Sequence, residues 1–135
     1  MNIADLDTDE LLFLKESTDF EQSLPMLIGL VHDQHPELGL PEKYELAQAL
    51  VERLCLAGLL QAVVVTYKEK RAGFFEVSGS QCVPFDSLKS AWSNPSLWGA
   101  HSEQTGAAFF GIEYAGRSCL ALEPTPRGVE LVAQL

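Results

Sequence analysis

The residues that could hold a metal ion are few and scattered. His32 and His35 are two residues apart, but a zinc site needs three or four converging ligands, and no Cys-x-x-Cys pair accompanies them. His101 and Glu103 have the His-x-Glu spacing of zinc deaminases without the Pro-Cys-x-x-Cys that completes such a site. We therefore expect no metal and no cofactor.

Motifs for covalent or phosphate chemistry are missing as well. The chain has no Gly-x-Ser-x-Gly elbow, Walker A loop, Gly-x-Gly-x-x-Gly or His-Glu-x-x-His. Its three cysteines, Cys55, Cys82 and Cys119, are far apart, which favours buried free thiols in a reducing compartment. Cys82 has the most loop-like surroundings of the three. We expect that the protein is not an enzyme.

Charge is more informative, because it is unevenly distributed. The chain of 135 residues has a net charge of −10, and residues 1–45 hold eleven acids against two bases, which is −9 of that total. This third of the chain should repel polyanions and attract basic partners. The acids predicted to bind such a partner are Asp5, Asp7, Asp9, Glu10, Glu16, Asp19 and Glu21.

Length and composition indicate one ordered domain, residues 1–135. A chain of this size can bury a core without disulfides or metal, and 47% apolar with 21% charged residues excludes wholesale disorder. The longest apolar run, Leu59 to Val65, is broken by Gln61 and is far shorter than the roughly 20 residues that span a bilayer. Acids also stand where a secretory signal would carry bases. We expect a cytoplasmic, bacterial protein without membrane association.

Capping residues predict two helices in the acidic third. Residues 7–10 offer caps and first-turn acids for a short helix that runs to about Ser17. A capping box at residues 18–21 precedes a second helix, which should end around residues 32–34. Pro25 leaves two alternatives open: it lies in the first turn of this helix, or it kinks a longer one.

The clearest pattern is a helix over residues 41–57 that runs directly into a strand over residues 59–67. Apolar residues recur at three- and four-residue steps, and Gly58 is suited to the position just after the helix. A charged turn over residues 68–73 and a returning strand over 74–77 should follow, which makes a hairpin.

The remaining elements are shorter. A helix is predicted over residues 85–92, and two strands over 107–114 and 118–122, joined by a tight turn. Thr125 can cap a final helix over residues 126–133, with proline at its first position.

Two stretches resemble the winged helix-turn-helix regulators of bacteria. Residues 49–61, ALVERLCLAGLLQ, are similar to the end of a recognition helix that enters the wing, and residues 122–131, LEPTPRGVEL, to the strand and helix that close it. The resemblance implies an α+β, winged-helix-like fold with N-terminal helices, a β-hairpin wing and a short C-terminal helix. The segment between the two stretches is longer than a simple wing needs, which implies an elaborated wing.

Two functions then compete. The resemblance implies a homodimeric DNA-binding regulator, whose contacts would come from Lys43, Gln48, Lys68, Lys70 and Arg71. However, the outward side of helix 41–57 is expected to carry three acids to two bases, whereas affinity for phosphate needs a basic face. The favoured hypothesis is therefore a protein-binding role of the immunity, antitoxin or adaptor type, in which the acidic surface binds a basic protein.

Overall fold

A computed structural model of the chain describes residues 3–19, 24–71, 74–84, 86, 89 and 118–135. These residues form an α+β arrangement: a single 3-10 turn, Ile3–Asp5, then three helices, a three-stranded antiparallel sheet in the order β2-β1-β3, and a last helix. The element bounds are α1 Thr8–Ser17, α2 Leu24–Gln34, α3 Leu40–Leu56, β1 Leu60–Arg71, β2 Phe74–Val83, β3 Ser118–Pro124 and α4 Pro126–Val132.

The predicted bounds of α1, α3 and α4, and the predicted end of α2, are confirmed to within about a residue. The capping box predicted at residues 18–21 is wrong at Thr18, which ends α1 with helical backbone angles and donates its hydroxyl to the carbonyl of Lys15 at 2.7 Å; residues 20–23 lie outside the described residues. Asp7 caps α1, and Pro25 is the second residue of α2, so it lies in the first helical turn. Thr125 caps α4, as the sequence indicates. The predicted strand over 118–122 is confirmed as β3. The predicted strand over 107–114 lies outside the described residues, as does the helix over 85–92 apart from Asp86 and Lys89.

The predicted charged turn over residues 68–73 is wrong for most of its length. Residues 68–71 continue β1, which stays paired with β2 as far as Arg71 opposite Phe74. The ladder tolerates this run of charges because backbone pairing holds the strand, and because register shifts on both sides of residues 67–69 change its twist. The returning strand is correspondingly longer than predicted.

The helices cover one face of the sheet. The apolar positions of α3 that recur at three- and four-residue steps are buried together with side chains of α1, α2, β1 and β3. The members of this core are Phe13, Leu14, Leu27, Val31, Ala47, Leu50, Val51, Leu54, Leu59, Leu60, Ala62, Leu122 and Leu131.

The opposite face of the sheet is buried too. Side chains alternate between faces along a strand, so Val63 and Val65 lie on the other side from Ala62. Both valines are fully buried, and so is Ala121, which pairs with Val63 from β3. Burial on both faces explains why residues 62–65 of β1 are apolar at successive positions rather than at alternate ones.

The junction between α3 and β1 is a Schellman motif. Gly58 has a φ of 74°, a left-handed conformation that suits glycine. The amide of Leu59 donates to the carbonyl of Leu54 and that of Gly58 to the carbonyl of Cys55, both at 3.0 Å. The chain can therefore leave α3 and enter the sheet without an intervening loop.

Helix α4 is fastened to this junction. The Thr125 hydroxyl donates to the carbonyl of Gly58 at 2.6 Å and accepts from the amide of Gly128 at 3.1 Å, while the Thr125 amide donates to the carbonyl of Leu59 at 3.0 Å. A methyl group on Gly128 would collide with that same Leu59 carbonyl oxygen. Glycine is required here because the helix approaches backbone.

Replacing Gly128 tests this contact. Gly128→Ala should lower the free energy of unfolding by about 2 kcal/mol or more, because a backbone carbonyl cannot move aside as a side chain can. Gly29→Ala is the control: Gly29 is exposed on α2 with open space around it, so alanine should stabilise by about 0.5–1 kcal/mol. Urea unfolding measures both. Equal effects at the two glycines would contradict the close approach.

Candidate functional site

The first turn of α1 uses two of the predicted partner-binding acids for its own structure. Asp7 and Glu10 form a capping box: Asp7 Oδ1 accepts from the amide of Glu10 at 2.8 Å, and Glu10 Oε1 accepts from the amide of Asp7 at 3.0 Å. Each carboxylate satisfies an amide that the helix leaves unpaired. The acids near the start of the chain are therefore partly structural.

Glu10 does not lie on the surface, contrary to the expectation for the acidic third. It is 1% exposed, because it stands three and four residues before Phe13 and Leu14 and so shares their inward face of α1. Arg53 of α3 compensates the charge, with Nη2 3.1 Å from Glu10 Oε1. Its Nη1 also reaches Asp7 Oδ2 at 3.4 Å. The other oxygen, Glu10 Oε2, is buried without a hydrogen-bond partner.

Asp9 holds the segment that follows α2. Its Oδ2 lies 2.8 Å from Nε2 of His35, and Glu37 Oε1 lies 3.7 Å from the other ring nitrogen. The hydrogen bond to Asp9, more than the nearby negative charges, raises the pKa of His35 above its ordinary value of 6.5. Asp9 and His35 are both only partly exposed, so this pair joins α1 to the turn between α2 and α3.

Lys43 was expected to face DNA from α3, and this expectation is wrong. The side chain is only 9% exposed, and its Nζ lies 2.8 Å from Nδ1 of His32 on α2. Lys43 stands four and seven residues before Ala47 and Leu50, which are core residues, so helical geometry directs it inward. This spacing is visible in the sequence and could have predicted that Lys43 faces inward.

The other predicted acids have varied positions. Asp5 and Asp19 are exposed and Glu16 is partly exposed, while Glu21 lies outside the described residues. Asp5 and Glu16 already make contacts of their own.

The remaining predicted DNA contacts lie on α3 and β1. Gln48 is exposed on α3, and Lys68 is exposed on β1 with contacts of its own. Lys70 and Arg71 are placed in β1 by backbone pairing.

The three acids expected on the outward side of α3 form an acidic face. We define the α3 acidic face as Glu42, Glu45 and Glu52. All three are exposed and make no ion pair within the described part of the chain. Spacings of three and seven residues place them along one side of the helix, over about 15 Å. The sequence predicts two bases, Lys43 and Arg53, on the same side of the helix as these acids. In the structure, the Lys43 ammonium contacts α2 and the Arg53 guanidinium pairs with acids of α1.

The cysteines differ from one another. Burial raises the pKa of Cys55 to about 11, so this thiol stays protonated near neutral pH. Cys82, the least clearly buried of the three in sequence, is expected to be partly buried but is exposed on β2, where its Sγ lies 3.3 Å from Gln61 Oε1. No side chain that could act as a base contacts it among the described residues.

Neither the remaining features of the described residues nor the comparisons with known proteins indicate a function. Within the described ranges, no three His, Cys, Asp or Glu side chains come together to bind a metal ion. None of the helices described there has the length and apolar character to cross a membrane. Comparison with protein-family models, curated proteins and solved structures finds no match to the chain.

The pair between Arg53 and Glu10 can be tested by a double-mutant cycle. Arg53→Ala should lower the free energy of unfolding by about 1–3 kcal/mol, because it leaves a buried carboxylate without its cation. In a Glu10→Gln background the same substitution should cost less than about 0.5 kcal/mol. Glu52→Ala, an exposed neighbour on α3, is the control. A cost of Arg53→Ala that is unchanged in that background would refute the pairing.

His35 should make stability depend on pH. Its pKa is raised in the folded state, so its contribution to stability is complete below about 6.5 and is lost as the pH rises through the folded-state pKa. Between about pH 5.5 and pH 8.5, the urea midpoint of the native protein should fall relative to that of His35→Gln. NMR titration should place the pKa of His35 above 6.5 and show that Asp9→Asn lowers it. An unchanged pKa in Asp9→Asn would contradict the assignment.

Proposed function

We propose that this chain is a non-enzymatic protein-binding module of the immunity, antitoxin or adaptor type, acting in the cytoplasm, and that the α3 acidic face binds a basic protein. The observation that carries the proposal is that none of the three carboxylates of this face makes an ion pair within the described part of the chain. Three exposed carboxylates point away from the core, while both bases of the same helix are held by other helices. A partner with lysines or arginines would supply the missing cations.

The form of the face suits an electrostatically steered encounter. Exposed carboxylates in a row raise the local concentration of a basic partner and fix its orientation, and their effect decreases with salt. Two large apolar side chains stand at the ends of the same helix: Leu40 is 62% exposed and Leu56 is 78% exposed. Leu56, four residues after Glu52, lies on the side of the helix that carries the α3 acidic face. It can provide the apolar contact that charges alone do not, since charge pairs at an exposed rim contribute little affinity.

We further propose that the fold is a divergent winged helix in which α3 takes the position of the recognition helix. Helices that lead into an antiparallel hairpin, and a last helix that closes the sheet, support this. DNA binding by a dimer has less support, because Lys43 is buried against His32 and leaves Gln48 among glutamates. In this proposal α3 keeps the position of a recognition helix, but its exposed surface is acidic where a DNA-binding helix would be basic.

Charge neutralisation on the α3 acidic face tests the proposal. The probe is a fluorescent helical peptide with lysines at three- and four-residue spacing. Combining Glu42→Gln, Glu45→Gln and Glu52→Gln should weaken its binding about tenfold, at roughly 0.5 kcal/mol for each lost pair. The control combines Asp19→Asn, Asp33→Asn and Glu130→Gln, three exposed sites with the same change in net charge, and should change binding by less than about twofold.

Three results would contradict the proposal: equal losses in the two triple variants, peptide affinity indifferent to salt, or a mobility shift of random duplex DNA at micromolar protein and low salt. The last result would favour the DNA-binding alternative, because phosphate contacts dominate non-specific affinity.

A further inference from the structure

Two histidines at the C-terminal end of α2 contact groups of opposite charge. His32 Nδ1 lies 2.8 Å from the ammonium of Lys43, and His35 Nε2 lies 2.8 Å from the carboxylate of Asp9. His32 lies in the last turn of α2 and His35 directly follows the helix, so the two are three residues apart. A proton therefore has opposite effects on the two contacts.

The contact of His32 requires a neutral ring. An ammonium has only donors, so Nδ1 must accept from Lys43 and the ring proton must be on Nε2. A second proton removes the lone pair that accepts, and it places a cation against a cation. Protonation of His32 thus breaks its contact with Lys43.

The contact of His35 behaves in the opposite way. A protonated ring donates from both nitrogens, and carboxylates stand at both: Asp9 on α1, and Glu37 in the turn before α3. Acidification therefore tightens the link from this turn to α1 while it loosens the link from α2 to α3.

Lys43 loses its hydrogen-bond acceptor when His32 is protonated. Among the described residues, its Nζ has His32 as partner and no carboxylate within ion-pair distance, although the side chain is only 9% exposed. A buried ammonium that loses its acceptor cannot stay unpaired without a large desolvation cost. Its long, flexible stem can carry the charge outward from the first turns of α3.

We propose that the end of α2 is a proton-operated switch: acidification releases Lys43 from His32 into solvent, while His35 keeps the following turn fixed to α1. Asp9 from α1 and Glu37 in the turn contact His35, while Asp33 on α2 and Glu42 on α3 are the chain neighbours of His32 and Lys43. Glu42 folds its carboxylate over Gly39 at the start of α3. The switch does not depend on the proposed function.

One consequence does rest on the proposed function. A released Lys43 would emerge beside Glu42, its neighbour in the chain, and reduce the negative charge of the α3 acidic face. A basic partner bound there would be held less tightly in acid.

The test measures the exposure of Lys43 by NMR with a neutral, soluble paramagnetic agent. The enhanced relaxation of the Lys43 Cε protons, divided by that of Lys15 on the exposed side of α1, should rise at least about twofold from about pH 8 to about pH 5. The midpoint of this rise should coincide with the titration of the His32 ring protons. A constant ratio, or a midpoint that follows another group, would overturn the switch.

Two variants separate the histidines. His32→Gln keeps an acceptor that does not titrate, so the Lys43 ratio should stay low throughout. His35→Gln should leave the rise intact, because Asp9 and Glu37 do not contact Lys43. A rise in His32→Gln that matches the native protein would also overturn the switch, and the measurement on the native chain remains decisive if a variant fails to fold.

Discussion

The fold depends on the few backbone groups where α3 becomes β1. The Thr125 hydroxyl donates to the carbonyl of Gly58, and the Thr125 amide donates to the carbonyl of Leu59. Helix α3, the central strand β1 and helix α4 therefore meet at one point. The left-handed glycine turns the chain within a single residue, and Gly128 lets the last helix approach the same carbonyl. Residues nearly seventy positions apart in sequence thereby fix the angle between the helical layer and the sheet.

Charge in this molecule has two uses that composition alone does not separate. Some acids complete helix ends or receive cations from neighbouring helices, as Glu10 does from Arg53. Others, such as Glu45, remain exposed and without a cation among the described residues. Intramolecular pairing uses the bases as well, so a helix that looks nearly balanced in sequence becomes acidic where it meets solvent. The field seen by a partner depends on which charges the fold has already paired.

Local signals explain which parts of the structure the sequence predicts. The caps of α1 and α4 and the end of α3 are set by residues within one helical turn, so Asp7, Thr125 and Gly58 identify them directly. The burial of Glu10 could not be predicted from local sequence, because the arginine that compensates its charge lies on another helix. The extension of β1 to Arg71 was missed since it depends on pairing with β2, which outweighs a run of charges.

Burial of both faces of the sheet has a consequence for strand alignment. In a half-buried strand, a slip by one residue is penalised because it turns the apolar side to water. Ala62, Val63 and Val65 would be apolar in either alignment, so hydrophobicity does not define the register of β1. The register must come from the fixed end of the strand at Leu59 and from the polar cross-strand pair of Gln61 with Glu123, whose side chains are 2.9 Å apart. The position of the strand along its neighbours therefore depends on one anchored end and one polar pair rather than on the apolar side chains.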